Sequence, residues 1–100
     1  MPMDMRYNTS VKYDWDKNKA KSNLSKHGVS FDEAKTAFGD PLYVDFYDPD
    51  HSFEEHRFIL LGKSIHDRVL FISYAERNDN IRLISAREAT PSESRAYEQN

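Results

Sequence analysis

One hundred residues, 38% hydrophobic and 31% charged, fit one small globular domain with a modest core. The absence of cysteine excludes disulfides, cysteine-ligated zinc and thiol catalysis. A net charge of −3 argues against nucleic-acid binding by bulk charge, and no apolar run reaches the length of a membrane span.

Residues 1–10, "MPMDMRYNTS", carry no signal-peptide core and read as a flexible extension of a soluble, cytoplasmic chain whose single domain spans 1–100. "VKYDWD" (Val11 to Asp16) alternates as a short strand with Val11, Tyr13 and Trp15 on one side. Asp16 then caps a helix through Lys26, with Ala20, Leu24 and His27 along one stripe, and Gly28 ends it in the left-handed conformation. Ser30 and Glu33 make a capping box, Val29 and Ala34 a hydrophobic staple, for a second helix from about Phe31 to Phe38. The two helices form a tight hairpin.

Four segments of strand type follow: "LYVDFY" (Leu42 to Tyr47), "RFILLG" (Arg57 to Gly62), "VLFISYAE" (Val69 to Glu76) and "IRLISAR" (Ile81 to Arg87). The short turns between them predict an antiparallel meander. Thr90, Pro91 and Glu93 open a closing helix with a second capping box. The order β-α-α-β-β-β-β-α predicts an α+β domain, helices packed on an antiparallel sheet.

Charge is segregated along the chain. Lys17, Lys19, Lys21 and Lys26 have no acid among them, whereas Gly39 to His56 holds Asp40, Asp45, Asp48, Asp50, Glu54 and Glu55 and no Lys or Arg. Arg68, Arg77, Arg82, Arg87 and Arg95 follow. Such segregation permits a basic face on an acidic protein, and a polyanion feels the local potential.

Three motifs then stand in order: "WD…K…N…KHG", "HSxxExR" and "RxxxxRxISAR", the last followed by "ExxxY". Together, over Tyr13 to Glu98, they resemble the BrnT family of toxins. That resemblance implies a RelE-like fold, a ribonuclease that blocks translation by cutting RNA, above all messenger RNA, and a BrnA-like antitoxin encoded beside it. It also implies contact with operator DNA only through the toxin–antitoxin complex. The alternative is a non-catalytic RelE-like interaction domain that acts through a partner protein.

Cleaving RNA without a metal uses the adjacent 2′-hydroxyl as nucleophile. It needs a base, cations around the phosphorane and a proton donor for the leaving oxygen. On that reading Lys26, His27, Glu55, Arg57 and Arg82 form the catalytic set, while Trp15, Arg77, Arg87, His51 and Tyr97 meet RNA. No cofactor is implied, and the spacing of His51, His56 and His66 matches no metal site. Each assignment has a plainer rival. Lys26 and His27 also suit a helix C-terminus, and Glu55 with Arg57 suits a surface ion pair. Trp15 suits the core, and Tyr97 suits docking of the last helix. Arg82 and Arg87, five positions apart, face opposite sides of a regular strand unless a bulge intervenes.

Overall fold

Alternating apolar runs with short turns build a five-stranded sheet. The computed structural model describes residues 11–53 and 55–99, and the expected extension, residues 1–10, lies outside them. The elements are β1 (Lys12–Asp14), α1 (Lys17–His27), α2 (Phe31–Ala37), β2 (Val44–Tyr47), β3 (Arg57–Lys63), β4 (Val69–Arg77), β5 (Asn80–Glu88) and α3 (Pro91–Glu98), with a 3-10 turn at Pro49–His51. The sheet order is β1-β5-β4-β3-β2. The meander is antiparallel from β2 to β5 as expected, but β1 joins β5 in parallel, Asp14 opposite Arg82. The two helices and three strands between them supply the long crossover a parallel pair requires.

Helix ends follow local chemistry. Asp16 accepts from the amides of Asn18 and Lys19, and Gly28 ends α1 at φ 69°. Those two amide bonds hold the Asp16 carboxyl below its ordinary value. Thr90 and Glu93 close a full capping box on α3. The box at Ser30 is only half made: Ser30 accepts from Glu33 N, while the Glu33 side chain turns into the interior.

One sheet face carries Leu60, Leu70, Ile72, Tyr74, Ile81, Leu83 and Ala86 against Phe31, Ala34 and Ala37 of α2 and Phe38, its C-cap. Close approach is possible because Gly62 has no side chain; a Cβ there would stand 2.7 Å from the Ala37 carbonyl oxygen. Aromatic rings run across this layer edge to face, Tyr13 to Phe38 to Tyr74, with centroids 5.2 and 5.1 Å apart. α3 packs against β3 and β4. Its Tyr97 is buried and donates its hydroxyl to Asp40. Burial and that carboxylate push the Tyr97 hydroxyl up to about 12. Although burial opposes it, the Asp40 carboxyl sits below its ordinary value, accepting from Tyr97, Lys63 N and Leu42 N.

The stripe expected on α1 is not its buried face. Leu24 is 51% exposed and His27 is exposed, whereas Asn23, just before Leu24, is buried. Its amide donates to Val29 O (2.9 Å) and Ala86 O (2.8 Å) and accepts from Ala86 N (3.0 Å). α1 therefore docks by completing the hydrogen bonds of β5 beyond the reach of β1, a polar seam that hydrophobic periodicity does not reveal.

Glu33 is 7% exposed, bonded to Arg68 through both oxygens and to Ser64 Oγ (2.7 Å). Arg68 also donates to Gly28 O, tying the end of α1 to the β3–β4 turn. The Arg68 bonds foremost, against an opposing effect of burial, hold Glu33 below its ordinary carboxylate value. A carboxyl lowered on folding stabilises above its unfolded value and loses that contribution as pH falls through its folded value. Stability is thus expected to decline progressively below about pH 4.5. Glu33→Ala should cost about 2–4 kcal/mol at pH 7 in urea unfolding and flatten that decline. A loss under about 1 kcal/mol would make the cluster incidental.

Candidate active site

The register places Arg57, Arg77, Arg82 and Arg87 on the face opposite α2. Across β3, β4, β5 and β1, Arg57 pairs with Ala75, Ala75 with Arg82, and Arg82 with Asp14. Residues directly opposite one another share a face, so these four make one row. With strands ~4.8 Å apart, the backbones of Arg57 and Arg82 stand about 10 Å apart, bracketing a residue that ends at Cβ. In the next row Ile59, Ser73 and Ser85 form an apolar and hydroxyl floor.

A register shift lies between Ser73 and Tyr74, which pair with Ser85 and Leu83, so Ile84 is an extra residue in β5. This bulge corrects the parity argument. Arg87, opposite Phe71, lies on the same face as Arg82, opposite Ala75. The Arg87 guanidinium stacks 4.1 Å from the Phe71 ring centre and pairs with both oxygens of Glu93 (2.8 and 3.0 Å). Those bonds, against burial, raise Arg87 and lower Glu93. Arg87 thus closes one end of the face as a held wall.

Over this floor lies a cleft of about 670 Å³, lined by Arg57, Ile59, Ser73 and Ser85 and walled by Phe46 and Tyr47 of β2 and by Asp48, Asp50 and His51 of the β2–β3 loop. On its far side Ile84 and Ser85 also line a depression with Lys19, Lys26 and His27 of α1. Lys26 and His27 therefore stand at the β5 end of the Ile59–Ser73–Ser85 floor, and His51 at its β2 end. His51 Nδ1 lies 2.9 Å from Asp48 Oδ2.

Glu55 pairs with Arg77 through both oxygens (2.7 and 3.1 Å). Arg77 foremost, then Arg57 and Arg82, hold the Glu55 carboxyl below its ordinary value. A carboxylate held by a guanidinium accepts protons poorly. Arg57 Nε is buried and has no hydrogen-bond partner among the described residues; Asp14 Oδ1, beside Arg82 (3.6 Å ion pair), shares that condition.

Two expected RNA contacts lie elsewhere. Trp15 packs edge to face on Phe31 (5.7 Å) in a groove between α1 and α2 with Lys21 and Leu24, away from the cleft. Tyr97 is consumed by Asp40. In both cases an aromatic ring found more apolar contact between elements than on the open face. Sequence reasoning missed Asp14, Ser73 and Ser85, whose only signal is a pairing register. Among the described residues no three His, Cys, Asp or Glu side chains gather as metal ligands, and no helix is long and apolar enough to cross a membrane.

A family model described as the ribonuclease toxin BrnT of type II toxin–antitoxin systems matches residues 15–93. Among solved structures, the chain is similar to the Brucella abortus ribonuclease toxin BrnT, with a TM-score of 0.61 and 19% identity, covering 81% of this chain and 99% of that one. At that identity the likeness concerns the fold alone. No curated protein matches by sequence.

Proposed function

This chain belongs to the BrnT family of ribonuclease toxins of type II toxin–antitoxin systems, and we propose that it acts as one RelE-like catalytic domain. It cleaves RNA, chiefly messenger RNA, by metal-independent transesterification in the cleft and so inhibits translation in the cytoplasm. A BrnA-like antitoxin neutralises it, and the pair together contacts operator DNA. The observation that supports this reading is the buried Arg57 Nε, unpartnered among the described residues, beside Ala75 and Arg82. A guanidinium donor kept dry and unpaired is costly unless an anion completes it, and its planar fork suits phosphate oxygens.

The roles follow from position. Arg57 and Arg82 grip the scissile phosphate and meet the charge that grows on the phosphorane. Asp14 and Glu55 hold Arg82 and Arg77 in place. Lys26 adds charge from the α1 wall, and His27 takes the 2′-hydroxyl proton. His51, at the β2 end of the floor, faces the leaving 5′-oxygen. Base and acid on opposite sides suit an in-line displacement.

Lys26 separates this reading from a helix cap. Lys26→Gln is expected to slow single-turnover cleavage about a hundredfold while shifting stability by less than about 1 kcal/mol. The parent rate should persist in EDTA, because the cationic charge comes from side chains. Parental kinetics for Lys26→Gln would return the lysine to a capping role. Loss in EDTA reversed by magnesium or zinc would reject the metal-independent route. Soluble parent protein that cuts no RNA would favour the non-catalytic interaction domain.

A further inference from the structure

Of the large apolar side chains exposed among the described residues, Leu42, Phe46, Tyr47 and Phe53 gather on and beside β2, at 64, 48, 45 and 99% exposure. Among the described residues β2 has a strand neighbour on one side only. The Asp48 amide donates to Arg57 O (2.8 Å), which sets the phase of the ladder. By antiparallel alternation Phe46 spends its backbone groups on β3, and Tyr47 directs its N–H and C=O outward. The opposite margin of the sheet is closed, first by β1 and then by the Asn23 amide on Ala86. β2 is guarded only by its shortness and by Asp45, which turns inward to accept from the Tyr74 hydroxyl (3.0 Å); it has no lysine, no proline and no register break against β3.

Charge selects what fits there. From Gly39 to His56 the chain is acidic, with no Lys or Arg. A second copy pairing edge to edge would bring like charges together, and RNA would be repelled. An extended segment with alternating apolar side chains and interspersed Lys or Arg satisfies the backbone, the exposed rings and Asp48 and Asp50 at once.

We propose that the antitoxin docks on the β2 edge through such a basic, extended segment, added as a sixth strand. Phe46, Asp48 and His51 belong to the cleft wall as well, so the chain leaving that strand lies across the cleft mouth and denies it to RNA. This rests on the reading of the chain as the toxin of a toxin–antitoxin pair.

The probe is the antitoxin translated from the frame adjoining this gene, titrated into the full-length toxin. Amide hydrogen exchange at Tyr47 should slow at least about tenfold in the complex. Tyr47→Pro removes the outward donor at an edge position that tolerates proline. That variant should bind the antitoxin at least about tenfold more weakly and resist neutralisation, measured against its own cleavage rate because Tyr47 also lines the cleft. Phe53→Lys, at a fully exposed site, should weaken binding without touching the fold. A complex that leaves Tyr47 exchange unchanged, parental affinity in both variants, self-pairing through β2, or no complex at all would overturn the proposal. Cleavage by the free parent is scored separately: its failure counts against the ribonuclease reading and leaves the docking result standing.

Discussion

Arg57→Ala is expected to lower single-turnover RNA cleavage by about 10²–10³-fold without lowering the unfolding midpoint. The two halves of this expectation come from one atom. Arg57 Nε is buried and unpartnered among the described residues, and a buried donor left unsatisfied costs about 1–3 kcal/mol. Truncation removes that cost together with the phosphate clamp, so stability holds or rises as activity collapses. Arg57→Lys keeps the charge but loses the fork, and should fall between parent and alanine. Urea midpoints paired with single-turnover rates test both halves. A destabilised alanine variant would make Arg57 a structural residue, and a parental rate would remove it from the site.

The largest stability effect is expected at Asn23. Alanine there strips the Ala86 N–H, the Ala86 C=O and the Val29 C=O of their bonds to the side chain, all in the interior. The loss should be about 3 kcal/mol or more, since each buried group left bare costs about 1–3 kcal/mol. Against a typical total of about 5–15 kcal/mol, that is a large share. Asn23→Asp should be no better, because it keeps the acceptor but aims a charge at two carbonyls. A loss under about 1 kcal/mol would mean that water replaces the amide at the seam. Activity should fall further than stability alone explains, because α1 carries Lys26 and His27 to the depression beside the cleft.

Legibility in the sequence followed the range of the interaction. Asp16, Gly28, Thr90 and Glu93 act within one turn of where they stand, so their helix ends could be read directly. Asn23 acts on Ala86, 63 positions away, and looks in sequence like a surface residue between Leu24 and the lysines. Glu33 offered a local partner in Ser30 and chose a distant one, because Arg68 and Ser64 satisfy both oxygens where one backbone amide would satisfy one. The arginines of the site were legible as residue types, their common face was not. That face depends on a strand register and on one bulge, neither of which leaves a mark in composition.

The bulge also bears on chain length. In a regular strand the loss of one residue rotates everything beyond it to the other side. Ile84 is spare: without it, Leu83 and Ser85 would still meet Tyr74 and Ser73, and Arg82 and Arg87 would remain together at a spacing of four. A shorter version of this strand therefore conserves the facing of its arginines but gives up the local bend and added twist that a bulge supplies. In this segment a deletion alters the curvature of the surface offered to RNA, while a regularised strand of unchanged length would alter which residues are offered at all.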